Sequence, residues 1–282
     1  MESEGIKLLT HAEEKNYGIC GFNVFNYESA LAVIESCQES RSPVFLQIDV
    51  KSSQYFNLEY TILFKKLIKK TDVPICLHFD HGPEISNLDQ LDECIELGFN
   101  SIMIDASKLP LNENIEMVKK FVSKAHKANI NVESEIGVVS RNVKATADEL
   151  HDLMTDPEEA RLFTEATKID YLAVSVGSVH GFGKSALNFN MIKEIKEKVK
   201  IPLVLHGGTG IPKNDLREAI NLGIRKINIG HGFRKNYLDS LKKILARYPD
   251  EIDARKIHSL ALNYFKNYII DLFKVTGSYN RF

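Results

Sequence analysis

The residues able to do chemistry stand at the ends of short apolar runs: Asn23, Asp49, Asp80 with His81, Asp105, Glu135, His180, His206 and Asn228. Three neutral imidazoles from His81, His180 and His206 offer the donor set of a catalytic zinc site, which takes three protein ligands and keeps a fourth position open. The chain holds 9 histidines, and one alone is more often a surface or supporting residue. Three at strand ends on one rim shift the balance towards a metal. His78, inside a strand and two residues before Asp80, reads instead as a hydrogen-bonding support. Two glycine-flanked segments follow, SVGSVHGFGK (175–184) and HGGTGIP (206–212). Such turns let backbone N–H groups approach an oxyanion, with Lys184 as an additional cation, although glycine turns are also common as plain turns.

The elements that must position these groups alternate. Strands are expected at 19–24, 43–48, 73–78, 100–104, 130–135, 170–175, 201–205 and 225–229, each short and mostly β-branched or apolar on both faces, as in a parallel sheet covered by helices. Helical periodicity appears in 28–40, 58–70 and 114–127, with starts expected at Asn114, Asp156 before Pro157, and Pro212. Gly98 and Gly223 read as C-terminal caps. Eight such units predict a single α/β domain over 1–282, a (β/α)8 TIM barrel, with an open doubly wound sheet as the alternative. The strand ends of a barrel converge on one rim, where barrel enzymes do their chemistry. His81 and Asp105 are 24 residues apart, His206 and Asn228 are 22 apart, but Glu135 and His180 are 45 apart. The excess lies in 136–156, a candidate rim loop or lid. Residues 251–282 read as a C-terminal helical extension, packed on the barrel or on a partner subunit.

Composition excludes several classes. The 282 residues carry 36 Lys plus Arg against 38 Asp plus Glu, a net charge of -2, which argues against binding nucleic acid or a membrane surface through bulk charge. No apolar stretch is long enough to cross a bilayer, and the start MESEGIKLL lacks an apolar signal core. Cys20, Cys37, Cys76 and Cys94 form no CxxC pair and read as buried thiols of a reducing cytoplasm.

Several segments together resemble the class II, zinc-dependent ketose-bisphosphate aldolases, nearest the branch with tagatose- and fructose-bisphosphate aldolases. They are FNVFNYESALAVIE (22–35), LHFDHG (77–82), SIMIDAS (101–107), VESEIG (132–137), GSVHGFGK (177–184), LVLHGGTGIP (203–212), KINIG (226–230) and GSYNR (277–281). The resemblance implies that His81, His180 and His206 bind one Zn²⁺ per chain and that Asp80 is the acid/base for the substrate's C4 hydroxyl. Asp105 and Glu135 match carboxylates able to hold the metal in an alternative position. Gly181, Gly207 and Thr209 match a phosphate cradle, with Gly208 in the same turn, and Asn228 matches a substrate contact. Asn23, Asp49, Lys184, His231 and Arg234 complete the expected substrate and phosphate site. The resemblance also implies a sugar phosphate substrate, a response to a monovalent cation and a homodimer or homotetramer.

The reaction expected is cleavage or formation of a ketose phosphate through a metal-stabilised enediolate, where the cation acts as Lewis acid and a carboxylate takes the hydroxyl proton. Three departures stand out. Ser140 and Arg141 replace the family's paired glycines, and Asn142 and Val143 replace the loop acids, with Asp148 or Glu149 further along as the candidate substitute. Asp49 replaces a Ser or Thr beside the phosphate. A carboxylate about 4 Å from one phosphate charge costs roughly 4 kcal/mol at an effective dielectric of about 20, so Asp49 turns away, is compensated by Lys51 or a cation, or serves a different end group. Gly230 and His231 replace a small residue and Thr, and His231 with Arg234 remains able to bind an anion at a helix N-terminus. Two alternatives follow: a barrel that binds a sugar without turnover, and a metal-dependent isomerase or epimerase.

Overall fold

The computed structural model describes residues 4–82, 88–140, 142, 146–181 and 186–282. Eight parallel strands close into a barrel in sequence order: β1 (Ile19–Asn23), β2 (Val44–Asp49), β3 (Ile75–Asp80), β4 (Ser101–Ile104), β5 (Asn131–Ile136), β6 (Tyr171–Val174), β7 (Leu203–Leu205) and β8 (Ile224–Ile229). Closure is made by β8 against β1, with Gly21 opposite Asn228. The TIM-barrel expectation is met, and the open sheet is excluded.

Side chains alternate across each strand, and this alternation divides the core in two. Phe22, Leu46, Leu77, Ile102, Val132, Leu172 and Leu205 pack outwards in the large cluster shared with the helices. Ile19, Phe45, Cys76, Met103, Tyr171, Ala173 and Val204 form a second, inner cluster. Leu8, Leu9 and Ala12 of the Glu4–Lys15 helix complete that cluster and stopper the barrel's lower end. This helix was not anticipated from the sequence. It is tied in where Ile6 N–H donates to Asn131 Oδ1 at 2.8 Å.

Above the apolar plug the inner series turns polar, through Gln47, His78, Glu133 and Lys226, all 0% exposed. Gly21 is required in this layer, because a Cβ there would fall 1.5 Å from Gln47 Oε1. The next inward positions are the strand ends that carry the site.

Several boundaries differ from expectation. β3 runs two residues further, to Asp80, because His78 and Asp80 continue the inward alternation. The helix expected from Asn114 is Leu111–Lys127, starting after Pro110; Asn114 is buried within it and its Nδ2 donates to Glu135 O at 3.4 Å. Asp156 does cap Pro157–Thr167, accepting from Glu158 and Glu159 N–H. Ala254–Thr276 lies on the barrel's outer layer against Tyr27–Ser40 and His231–Arg247. Its Phe265 and Phe273 meet Phe233 and Phe22, with ring centroids 4.7 and 6.0 Å apart. Among the described residues no helix is long and apolar enough to cross a membrane, and the four cysteines are buried and free.

Candidate metal centre and active site

His81 follows the last residue of β3, His206 follows β7, and His180 sits in the segment after β6. One ring nitrogen from each lies within 4.8 Å of the others. The ring centroids are 5.0 to 6.0 Å apart. His81 takes a left-handed backbone, φ 52°, which turns its ring back over the barrel mouth. The segment after β5 helps to set His180: Ser140 bridges Val179, and Ser140 O accepts the His180 N–H at 2.8 Å.

The donor chemistry of this group suits a divalent cation. His81 Nδ1 is 3.1 Å from Asp105 Oδ2, while its Nε2 is buried with no hydrogen-bond partner. His206 Nε2 is 2.9 Å from Glu133 Oε1. A carboxylate on one ring nitrogen fixes the proton there and leaves the other nitrogen with a lone pair for a metal. The residues present therefore fit an ion held by three imidazoles. Among the described residues, the group that could hold a metal contains the three histidines only.

Asp105 and Glu135, expected as alternative metal ligands, do not join it. Asp105 is committed to His81 and to Ser107, whose Oγ donates to it at 2.7 Å. Glu135 Oε1 accepts Val139 N–H at 3.1 Å, and its buried Oε2 has no partner. Burial pushes the Glu135 carboxyl up to about 6, against the pull of His206.

Asp80 ends β3 beside this group. Asn23 Nδ2 donates to its Oδ2 at 2.6 Å and Asn228 Nδ2 to its Oδ1 at 3.3 Å. Burial raises the Asp80 carboxyl, but the surrounding His81, His206, Lys226 and His78 outweigh that and hold it below its ordinary value. The result is an ionised carboxylate pinned between two amides, a suitable proton acceptor at the cleft floor. Asn23 and Asn228, expected to touch substrate, are first of all the groups that orient Asp80.

Beneath the histidines lies a buried ion pair that sequence reasoning missed. Lys226 Nζ donates to Glu133 Oε2 at 2.6 Å, with both side chains 0% exposed. Burial would raise the Glu133 carboxyl, yet Lys226, His206 and His78 hold it well below the carboxylate range. His78 is the support expected: Nδ1 meets Ser101 Oγ at 2.7 Å, and burial with Lys226 nearby lowers its pKa to about 3, so it is neutral. The available signal was alternation, since Glu133 precedes Glu135 by two positions and Lys226 precedes Asn228 by two.

A cleft of about 580 Å³ opens above, lined by Asp80, the three histidines, Asn23 and Asn228 at one end. Gly181, Gly207 and Thr209 line its side, and Asp49, Lys51, Gln54, Gly230, His231 and Arg234 its other wall. Lys51 and Gln54 were not anticipated as site residues; they lie in the Val50–Phe56 helix, whose start at Asp49 was legible only as an N-cap residue type. Gly208 is buried under the turn. Thr209 Oγ1 accepts the Gly232 N–H at 2.9 Å and so is partly occupied by the protein itself. Asp49 does not stand free towards a substrate: its Oδ1 accepts Ser52 N–H and its Oδ2 pairs with Arg234 Nη1 at 3.0 Å. The compensation comes from Arg234, not from Lys51. Partial burial, then Arg234 and Lys51, lower the His231 pKa. Lys184, Arg141 and Val143 lie outside the described residues. Asp148 and Glu149 are exposed in the short Ala147–His151 helix and do not line the cleft; Glu149 accepts the Thr146 N–H at 2.7 Å.

Gly207 is the turn's structural requirement. Its φ is 70°, and a Cβ would sit 2.5 Å from Val179 O. Gly207→Ala is expected to cost about 1–3 kcal/mol in backbone strain alone, read as a lower Tm in thermal unfolding. An unchanged Tm would mean that the turn relaxes freely.

The family model described as class-II fructose-bisphosphate aldolase matches residues 4–281. The chain is 36% identical over 281 residues to a Bacillus subtilis (strain 168) protein named "Probable fructose-bisphosphate aldolase", covering 98% of this chain and 97% of that one. It is 34% identical over 284 residues to the fructose-bisphosphate aldolase of Staphylococcus aureus (strain N315), covering 98% and 97%. In structure it is similar to the YdjI aldolase from Escherichia coli K12, with a TM-score of 0.84, 30% identity and coverage of 100% and 99%.

Proposed function

Because the chain belongs to the class II fructose-bisphosphate aldolase family, we propose that it is a zinc-dependent carbon–carbon lyase acting on a ketose phosphate or bisphosphate. The observation that carries this reading is the meeting of three imidazole nitrogens within 4.8 Å, next to an ionised Asp80. His81, His180 and His206 would hold the ion. A bound divalent cation supplies Lewis-acid polarisation of the substrate's carbonyl and adjacent hydroxyl oxygens. The protein's own groups do the rest. In cleavage, Asp80 accepts the C4 hydroxyl proton as the C3–C4 bond breaks, and in condensation it returns it. Asn23 and Asn228 keep its oxygens aimed. Backbone N–H groups around Gly181, Gly207, Gly208 and Thr209 receive a phosphate, with cations on the opposite wall.

The same reading takes 1–282 as one barrel domain, with 136–156 as its lid and 251–282 as its helical extension. It further takes the enzyme as a cytoplasmic homodimer or homotetramer that responds to a monovalent cation. Asp105 acts as the brace of His81, and Glu135 as a neighbouring carboxyl.

A retro-aldol assay with fructose and tagatose bisphosphates, on zinc-loaded and chelated protein, tests the proposal. Cleavage is expected with zinc, abolished by chelation and restored by adding zinc back. Cleavage of no ketose phosphate, with proton exchange on dihydroxyacetone phosphate also absent, would favour a binding protein. Products that keep all carbons in one chain would favour an isomerase.

A further inference from the structure

Asp49 departs from the family pattern, and Arg234, 185 residues further on, lies with Gly230 beside the departure at His231. In the barrel they meet. Asp49 ends β2, and Arg234 lies in the first turn of the His231–Arg247 helix after β8. β1 runs between them, so Arg234 reaches across the rim over Asn23 to its partner. Both Asp49 oxygens are engaged, Oδ1 by Ser52 N–H and Oδ2 by Arg234 Nη1 at 3.0 Å. The other arm, Nη2, lies beside Gly230. A Cβ built on Gly230 would lie 3.3 Å from Arg234 Nη2 and 3.4 Å from Asn23 Oδ1. Gly230 therefore leaves open the space between the arginine fork and the asparagine that holds Asp80. Lys51 and His231 line the same wall, and Asp49, tied to Arg234, is its only acid among the described residues.

We propose that Asp49 is a positioning residue: it braces Arg234 across the cleft, so that the guanidinium is held ready for the phosphate that the aldolase reading places at this wall. This inference rests on the proposed aldolase reading and deepens it. A guanidinium is a planar fork suited to phosphate, and fixing it before the ligand arrives reduces the freedom lost on binding. Gly230 supplies room for that fork and for the anion. The departure at 49 then belongs to one compensated unit with Arg234.

The sign of one measurement separates this from repulsion. If Asp49 merely faced the substrate, removing its charge would tighten phosphate binding. If it braces Arg234, removing its charge loosens binding. Asp49→Asn keeps a good N-cap for Ser52 and nearly the same shape. Calorimetric titration of the zinc-loaded full chain with inorganic phosphate should show binding weakened severalfold in Asp49→Asn, and by about tenfold or more in Arg234→Met. Arg234→Lys, which keeps the charge and loses the fork, should also bind more weakly than wild type. With a ketose bisphosphate, both Arg234 variants should raise KM more than they lower kcat. Tighter phosphate binding by Asp49→Asn, or wild-type binding by either Arg234 variant, would overturn the proposal. Phosphate binding is read without turnover. A chain that grips phosphate through Arg234 yet cleaves no ketose phosphate would support this inference while contradicting the proposed reaction.

Discussion

Asp80→Asn will lower kcat by about 10²–10⁴-fold, the range lost when a positioned general base is removed, while zinc content stays at the wild-type level. The carboxylate sits at the end of β3 with one amide donor on each oxygen, from Asn23 at 2.6 Å and Asn228 at 3.3 Å. An asparagine keeps the shape and can still accept one of those bonds, so the fold and the histidines should persist. It cannot take a proton. The loss should fall on kcat, because the group acts on a proton moved during bond cleavage rather than on substrate affinity. Metal analysis together with steady-state kinetics checks both parts. A kcat close to wild type would remove Asp80 from the chemistry and leave it as a brace for its neighbours.

The second large effect concerns the pair below the site. Lys226→Met leaves Glu133 charged in the barrel interior without its lysine partner, and breaking a buried pair from one side typically costs about 3–5 kcal/mol. Denaturant unfolding should register that loss. Glu133→Gln combined with Lys226→Met should recover most of the stability, because no isolated charge remains. The double variant should nonetheless bind zinc about 10–100-fold more weakly, the usual loss when a metal ligand's supporting group is altered. The reason is local: Glu133 Oε1, 2.9 Å from His206 Nε2, fixes which nitrogen of that ring keeps its proton. If the double variant matched wild type in zinc affinity, the pair would be structural only.

Much of the architecture was legible because β/α alternation writes itself twice, once in apolar runs and once in the polar residues that end them. LHFDHG and LVLHGGTG placed Asp80, His81 and His206 at strand ends, where the barrel indeed brings them together. What the strand reading hid was the alternation within the runs. Residues 131–136 (NVESEI) and 224–229 (IRKINI) carry charges inside strands, and only the closed barrel shows that Glu133 and Lys226 share the inner face. Their pairing spans 93 residues, and no local pattern announces it. The Glu4–Lys15 helix is hard to see in a start as polar as MESEGIK; Leu8, Leu9 and Ala12 carry its short buried stripe. Asp49 misled for a different reason. A lone carboxylate beside an anion site reads as repulsion, and only the reach of Arg234 across β1 reveals its partner.

The most direct test is crystallographic: anomalous diffraction at the zinc edge from crystals of the zinc-loaded chain. One peak is predicted, equidistant in kind from ring nitrogens of His81, His180 and His206, with Asp80 beside it and not ligating. A map with no peak among those three rings, or with the zinc held elsewhere on the chain, would contradict the assignment of this rim as the metal centre.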